Sequence, residues 1–482
     1  MAKYFSPDVY NENSDVMSID TEVAVGVAGM VGIAQRGPIN EAVRVQSWNQ
    51  YINAFAVGMD SPFVANADLA YSVYGFFQNG GSECVIVRTA HETVAPAEMV
   101  AVEGITAVMS ASDSGSWGNN LKVAIVANED EPNNFDLSVK LGTEVVETLV
   151  NLSNTEGDQN YWITRVTNES AYIKPVSGAL SVTTDDITFA NGNDGVTDIT
   201  DEDYVAALTA MGAFDDISYL AIPGQTSQTV VDGLKAYCYD GSNIIPVIEA
   251  AKTANTAAVK TMRKLNENHT GVLVWPWGYV TDPLSKSPSP NNTRLCPPAG
   301  HYMGVMSRIA QKRGVWKSPA GIEATVKGFV SCVTKITNAD TDILNPIGVV
   351  SIKAVTNYGI CVWGARSMNS KDDYFKYVSD LVLDGYIKRN TYKLGLPYVF
   401  ETNTETTWTS IQSVISAFMN KLMMDGAFKS KVQEEAYYVK CDADLNEIHQ
   451  QKNDGIIETE IGYAGAKPGE FIVFRIKHTI SN

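Results

Sequence analysis

The sequence predicts a multi-domain protein of α/β plus α+β class: an α/β core with an inserted β-rich domain and a C-terminal α+β domain, flanked by extended arms. Three observations predict it. At 482 residues the chain is too long for one ordinary core, and about two to four domains are expected. Over residues 23–92 and 200–345, β-branched apolar runs alternate with segments of helical period, the rhythm of an α/β layer. Between them, residues 93–199 carry short alternating segments separated by turn residues, the pattern of a β-rich insertion.

The elements follow in order. Residues 1–22 are polar, with Pro7, Asn11 and Asn13, and read as an arm without a core of its own. Val23 to Ile33 is a small, glycine-containing apolar run that predicts a buried strand, ended by the turn Gln35-Arg36-Gly37-Pro38. A short strand is expected at 42–45, a helix at 48–55 capped by Ser47, a helix at 65–78 and a strand at 84–88. In the insertion, strands are expected at 121–127, 135–141, 145–149, 161–166 and 171–175. The α/β rhythm then resumes, with helices at 201–211, 229–238 and 256–267 and strands at 217–223, 244–250 and 271–277. Residues 281–298, rich in Pro, Ser and Asn, predict a loop, followed by a helix at 301–313. The C-terminal α+β domain, 346–465, opens with strands at 349–355 and 360–365. It continues with helices at 371–390 and 406–424 and strands at 437–441 and 455–461. A last apolar strand, 470–478, lies in a C-terminal arm of residues 466–482.

Composition narrows the function. The net charge is −19, and residues 101–216 hold 20 acids against four bases, so −16 sits in that block. Phosphate binding needs Lys and Arg, so nucleic acid is not the expected partner there; a solvated acidic face is. No stretch of eighteen uninterrupted apolar residues appears, so no membrane insertion is expected. The first ten residues lack an apolar signal core, which points to synthesis in a reducing cytoplasm. The six scattered cysteines, with no C-x-x-C pair, fit free thiols there. The sequons at Asn151, Asn168, Asn268 and Asn292 then read as chance matches.

No catalytic, cofactor or metal site is expected. Phosphate-loop, nucleophile-elbow and zinc-protease motifs are absent. Gly26-x-x-Gly29-x-x-Gly32 fits close packing in a strand better than a dinucleotide turn, since no helix follows it. His91, His269, His301, His449 and His478 lie far apart and read as surface or helix-end residues. Gly224-Gln225-Thr226-Ser227 joins a strand to a helix, so it can offer amides to an anion. Without a supporting Lys or Arg it reads as an ordinary capped turn.

Several motifs, in order along the chain, resemble the contractile tail sheath protein family of phages and phage-tail-like particles. They include Val31-Gly-Ile-Ala-Gln-Arg-Gly-Pro-Ile39, Gly115-Ser-Trp-Gly-Asn-Asn-Leu121 and Trp275-Pro-Trp277 with Thr281-Asp-Pro283. Leu344-Asn-Pro-Ile-Gly348, Val362-Trp-Gly-Ala-Arg366 and the closing Glu470-Phe-Ile-Val-Phe-Arg-Ile476 continue the series. The arm departs from the family opening, with Ser6-Pro-Asp-Val-Tyr10 in place of Pro-Gly-Val-Tyr, and paired arginines after Lys371 are missing.

The resemblance implies a tail-sheath-like fold and a structural subunit, not an enzyme. Such subunits form hexameric rings stacked helically around a tail tube, and contraction drives the tube through a cell envelope. The implied partners are the chain itself, the tube protein, and baseplate and tail terminator proteins. The implied location is the bacterial host cytoplasm, then a virion tail or a released phage-tail-like particle. Tyr4, Phe5, Val9 and Tyr10, and Phe471, Val473, Phe474 and Ile476, are the expected inter-subunit arm residues. A terminal apolar strand left unpaired is an aggregation hazard, and addition to a neighbour's sheet satisfies it. Lys421, Lys429 and Lys431 are candidate tube contacts, although solvated lysines are an equal reading. The alternative from another class is an α/β hydrolase-like enzyme using the Gly224 loop, which would need a clustered acid, base or metal set. A surface-layer or adhesin-like binding protein is a third reading, disfavoured by the missing signal core.

Overall fold

The computed structural model describes residues 25–239, 243–267, 270–284, 292–452 and 455–470. Its centre is an eight-stranded sheet. The strand order is Gly359–Val362, Val349–Val355, Val272–Trp275, Ile245–Glu249, Tyr219–Ala221, Ala28–Gly32, Cys84–Arg88 and Ala42–Val45. The six inner strands run parallel, and the outermost strand at each end is antiparallel to its neighbour. Side chains alternate between two apolar layers, as the pleat requires. Ala28, Met30, Cys84, Ile86, Val272 and Val274 enter one layer; Val31, Val85, Val87, Leu273 and Trp275 enter the other. Both faces are covered by helices, which is why these strands are continuously apolar.

Helices Trp48–Phe55, Leu69–Gln78, Ala299–Arg313, Val378–Gly395 and Glu405–Asp425 contribute to the first layer. Asp201–Ala207, Gln228–Tyr239, Thr256–Leu265 and Asn338–Leu344 cover the other. The Leu69–Gln78 and Ala299–Arg313 helices cross with almost no gap. A Cβ on Gly300 would lie 2.2 Å from the Ser72 carbonyl oxygen, and one on Gly304 2.4 Å from that of Phe76. Only glycine permits that backbone approach.

A seven-stranded antiparallel sheet lies within the expected insertion, with strands from Glu98–Met99 to Ile187–Ala190 around a separate core of Trp117, Trp162, Leu137 and Phe189. Of residues 161–166, expected as a strand, 162–166 belong instead to the helix Trp162–Glu169, with Tyr161 as its N-cap. Trp162 and Val166 are its buried residues, four apart, which is helical spacing.

Other differences have local causes. The helix expected from 371 begins at Val378, because the Asp372 carboxylate accepts from the amides of Tyr374 and Phe375 and closes a turn first. The expected loop 281–298 contains the strand Thr293–Cys296. That strand joins Gly278–Thr281 and Phe329–Cys332 in a three-stranded sheet. The Val349–Val355 and Gly359–Val362 strands lie in the main sheet although they follow the expected boundary at 345. Among the described residues, no helix is long and apolar enough to cross a membrane.

Candidate assembly interface

The Gly224 turn is the place where an α/β enzyme would bind an anion, and here its amide is already satisfied. The Gly224 N–H donates to Glu249 Oε2 at 2.9 Å. The other oxygen, Oε1, accepts from the Ala299 amide at the start of a helix at 2.6 Å. Glu249 is fully enclosed, and burial pushes its carboxyl up to about 8 against the pull of the two amides. Asp68 stands beside the turn: a Cβ on Gly224 would meet its Oδ2 at 2.2 Å. Two carboxyl groups fill the position that an anion would need. Ser227 Oγ accepts from the Val230 amide, so the turn is capped as an ordinary strand-to-helix connection. Among the described residues no group of three or more His, Cys, Asp or Glu could hold a metal ion. All six cysteines are free thiols.

His301 is a helix-end residue, in the first turn of the Ala299–Arg313 helix, but it is not on the surface. Its ring is buried against Phe329, with ring centroids 4.5 Å apart, and desolvation lowers its pKa to about 3.

Among the described residues, the C-terminal region holds a small two-stranded sheet. Strands Tyr437–Lys440 and Glu460–Tyr463 pair antiparallel, and among the described residues each has only the other as a named strand partner. The sheet rests on the Glu405–Asp425 helix. The Tyr437 hydroxyl donates to the Ser416 carbonyl at 3.1 Å, and the Gln412 amide donates to the Val439 carbonyl at 2.9 Å. Phe428 packs between Tyr437 and Tyr463. The chain after Tyr463 runs back along residues 427–429, through Lys429 N to Ala464 O at 2.8 Å and Ala466 N to Ala427 O at 3.0 Å. A two-stranded sheet is marginal by itself, so the helix beneath it and any added strand matter to its stability.

The last described residue, Glu470, is held by three elements at once. Arg366 grips both carboxylate oxygens: Nε at 2.9 Å from Oε1 and Nη2 at 2.6 Å from Oε2. Asn345 Nδ2 donates to Oε1 at 3.1 Å and the Tyr377 hydroxyl to Oε2 at 3.3 Å. Both charged side chains are nearly buried, at 13% and 11% exposure. Burial pushes the Glu470 carboxyl up, and its three donors together bring it below the usual carboxylate value. One turn earlier, Lys467 Nζ bonds Asp380 Oδ2 at 2.8 Å, inside the first turn of the Val378–Gly395 helix.

Arg36 joins the insertion to the core. The side chain is 2% exposed. It donates to Asp113 Oδ2 at 2.9 and 3.1 Å, Ser112 Oγ at 2.9 Å, Val57 O at 2.8 Å and Ala171 O at 2.6 Å. Its guanidinium also lies 4.0 Å from the Trp117 ring centroid. Sequence reasoning treated Arg36 as a turn residue. Its only signal was a lone cation directly after a buried strand.

The predicted contact residues divide cleanly. Lys421, Lys429 and Lys431 are all exposed, in or just after the Glu405–Asp425 helix. Tyr4, Phe5, Val9, Tyr10, Phe471, Val473, Phe474 and Ile476 lie outside the described residues. The Glu470 anchor was missed because its partners are far apart in sequence, at 345, 366 and 377.

Comparison with known proteins adds similarities of sequence and of fold. Residues 197–368 match the phage tail sheath protein central domain. Over 144 residues, 30% of this chain, the sequence is 24% identical to the tail sheath protein of Vibrio phage KVP40. That match spans 22% of the relative's length. A sheath complex of an extracellular contractile injection system, solved in the contracted state, shares the fold. Its TM-score is 0.61 at 17% identity, covering 100% of this chain and 99% of that one. A sheath tail protein from Listeria innocua is similar at TM-score 0.64 and 13% identity, over 88% and 89% of the two chains. The resemblance read from the sequence is thus supported: residues 197–368 match the phage tail sheath protein central domain, and the chain is similar to contractile tail sheath proteins in sequence over that part and in fold.

Proposed function

We propose that this chain is the structural subunit of a contractile tail sheath, polymerising as a helical array of hexameric rings around a tail tube. The observation that carries the reading is the sheet with two strands among the described residues, together with a C-terminal segment whose root is fixed at Glu470. The sequence beyond that root, Phe471-Ile-Val-Phe-Arg-Ile476, is apolar and β-prone, suited to complete a sheet in a neighbouring copy. Residues Tyr4 to Tyr10 serve the opposite joint. The acidic insertion faces outward, and Lys421, Lys429 and Lys431 face the tube. Head-to-tail contacts that do not close generate open helical arrays, as a sheath requires. The arms keep neighbouring bodies linked while the lattice changes from extended to contracted.

No nucleotide-binding motif is present in the sequence, so energy for contraction is stored during assembly. The extended lattice is then a kinetically trapped state above the contracted one. A few kcal/mol per subunit, summed over a long sheath, is a large release. The test is negative-stain microscopy of the purified chain and of a variant lacking residues 470–482. Intact protein should form striated cylinders that contract without ATP and do not re-extend. The truncated chain should remain folded and form no contractile mesh. Full-length sheaths from the truncated chain, or contraction that requires ATP, would refute the proposal.

A further inference from the structure

The Arg366–Glu470 pair sits in a dense polar cluster. Glu470 has a bidentate guanidinium, an amide and a phenol on its two oxygens. The three partners come from different places. Arg366 follows the Gly359–Val362 edge strand of the main sheet, and its backbone is bridged to Tyr377. Asn345 is the C-cap of the Asn338–Leu344 helix. Tyr377 is the N-cap of the Val378–Gly395 helix. Lys467–Asp380 adds a second tie to that same helix. The small sheet at 437–440 and 460–463 supplies none of these contacts.

We infer that the Arg366–Glu470 clamp is the anchor through which the C-terminal arm is joined to the α/β body, fixing the point and direction at which residues 471–482 leave toward a second copy of this chain. This assignment presupposes the sheath assembly proposed above and adds where its joint begins. A clamped root holds residues 467–470 against the body before a neighbour is met. Preorganisation of this kind strengthens association without adding a contact at the interface. The clamp also ties the root of the arm to the segment after the edge strand of the main sheet and to two helix ends. Arg suits the position because its planar fork matches a carboxylate, which a lysine ammonium cannot do.

The experiment separates the anchor from a merely structural bond. Glu470→Gln keeps the size and removes the charge. Arg366→Glu, Glu470→Arg and the combined swap test the pair. For each protein, the thermal melt of the unassembled monomer and the critical concentration for cylinder formation are measured, and fragmentation is counted after contraction. For E470Q the monomer should melt close to wild type. Its critical concentration should rise about tenfold, equivalent to ~1.4 kcal/mol, and contracted sheaths should break into short pieces. The swap should assemble better than either single reversal. Assembly of E470Q at the wild-type concentration with intact contraction overturns the inference. So does a fall in monomer melting large enough to account for the lost assembly. If the swap does not fold, the isosteric E470Q result decides. Wild-type chain that forms no cylinders would instead refute the sheath reading, a distinguishable failure.

Discussion

Replacing Arg36 with Ala tests whether the insertion is clamped to the core or merely tethered. The wild-type guanidinium makes five hydrogen bonds, four of them to Ser112, Asp113 and Ala171 on the insertion side, and lies over Trp117. Burial pushes the guanidinium down, and Asp113 counters it. Removing one member of a buried pair costs about 3–5 kcal/mol. Asp113 keeps 21% exposure and can be partly rehydrated, which places the expected loss near the lower end, about 3 kcal/mol. Arg36→Lys keeps the charge without the fork and should recover only part of it. The assay is urea unfolding followed by tryptophan fluorescence, because Trp117 and Trp162 report on the insertion core. R36A should unfold its insertion in a separate, earlier transition and expose residues 93–199 to limited proteolysis. A single transition within about 0.5 kcal/mol of wild type would show that Arg36 does not couple the two parts.

Three further outcomes are expected. His301, lowered from 6.5 to about 3 by burial, favours the folded state fully above pH 6.5. That contribution drains away as pH falls toward 3, at up to ~1.4 kcal/mol per pH unit. Melting temperatures of His301→Gln between pH 6.5 and 4 should therefore show a shallower acid slope than wild type, and an identical slope would exclude His301 as its source. Glu249→Gln leaves one of the Gly224 and Ala299 amides facing an N–H group in place of an acceptor, and should cost about 1–3 kcal/mol in denaturant unfolding; unchanged stability would mean that the carboxylate is not holding the turn. The exposed Lys421, Lys429 and Lys431, all changed to Glu, should leave monomer unfolding within about 0.5 kcal/mol but prevent assembly around a tube. Normal assembly would remove them as tube contacts.

Much of the fold was legible because local pattern and burial agree in it. The Cys84–Arg88, Leu121–Ala127, Phe135–Leu141 and Val349–Val355 strands, and the Trp48–Phe55 helix with its Ser47 cap, lie where the sequence places them. Each is a run whose apolar period identifies it without reference to neighbours. The Trp162–Glu169 helix was misread because a short segment with few apolar residues fits either period. Thr293–Cys296 was missed because strand pairing, not composition, makes it a strand.

The sequence by itself determined the alternation of sheet and helix, the acidic insertion, the absence of catalytic motifs and the family resemblance. These are properties of composition and of short windows, where covalent neighbours suffice. The tertiary structure alone decided what long-range contacts create. It put Glu249 in the anion position of the Gly224 turn from 25 residues away. It buried His301 and clamped Arg36 to Ala171 across 135 residues. It closed Asn345, Arg366 and Tyr377 around Glu470. A buried charge must find its partners wherever the fold brings them, and sequence spacing carries no record of that distance.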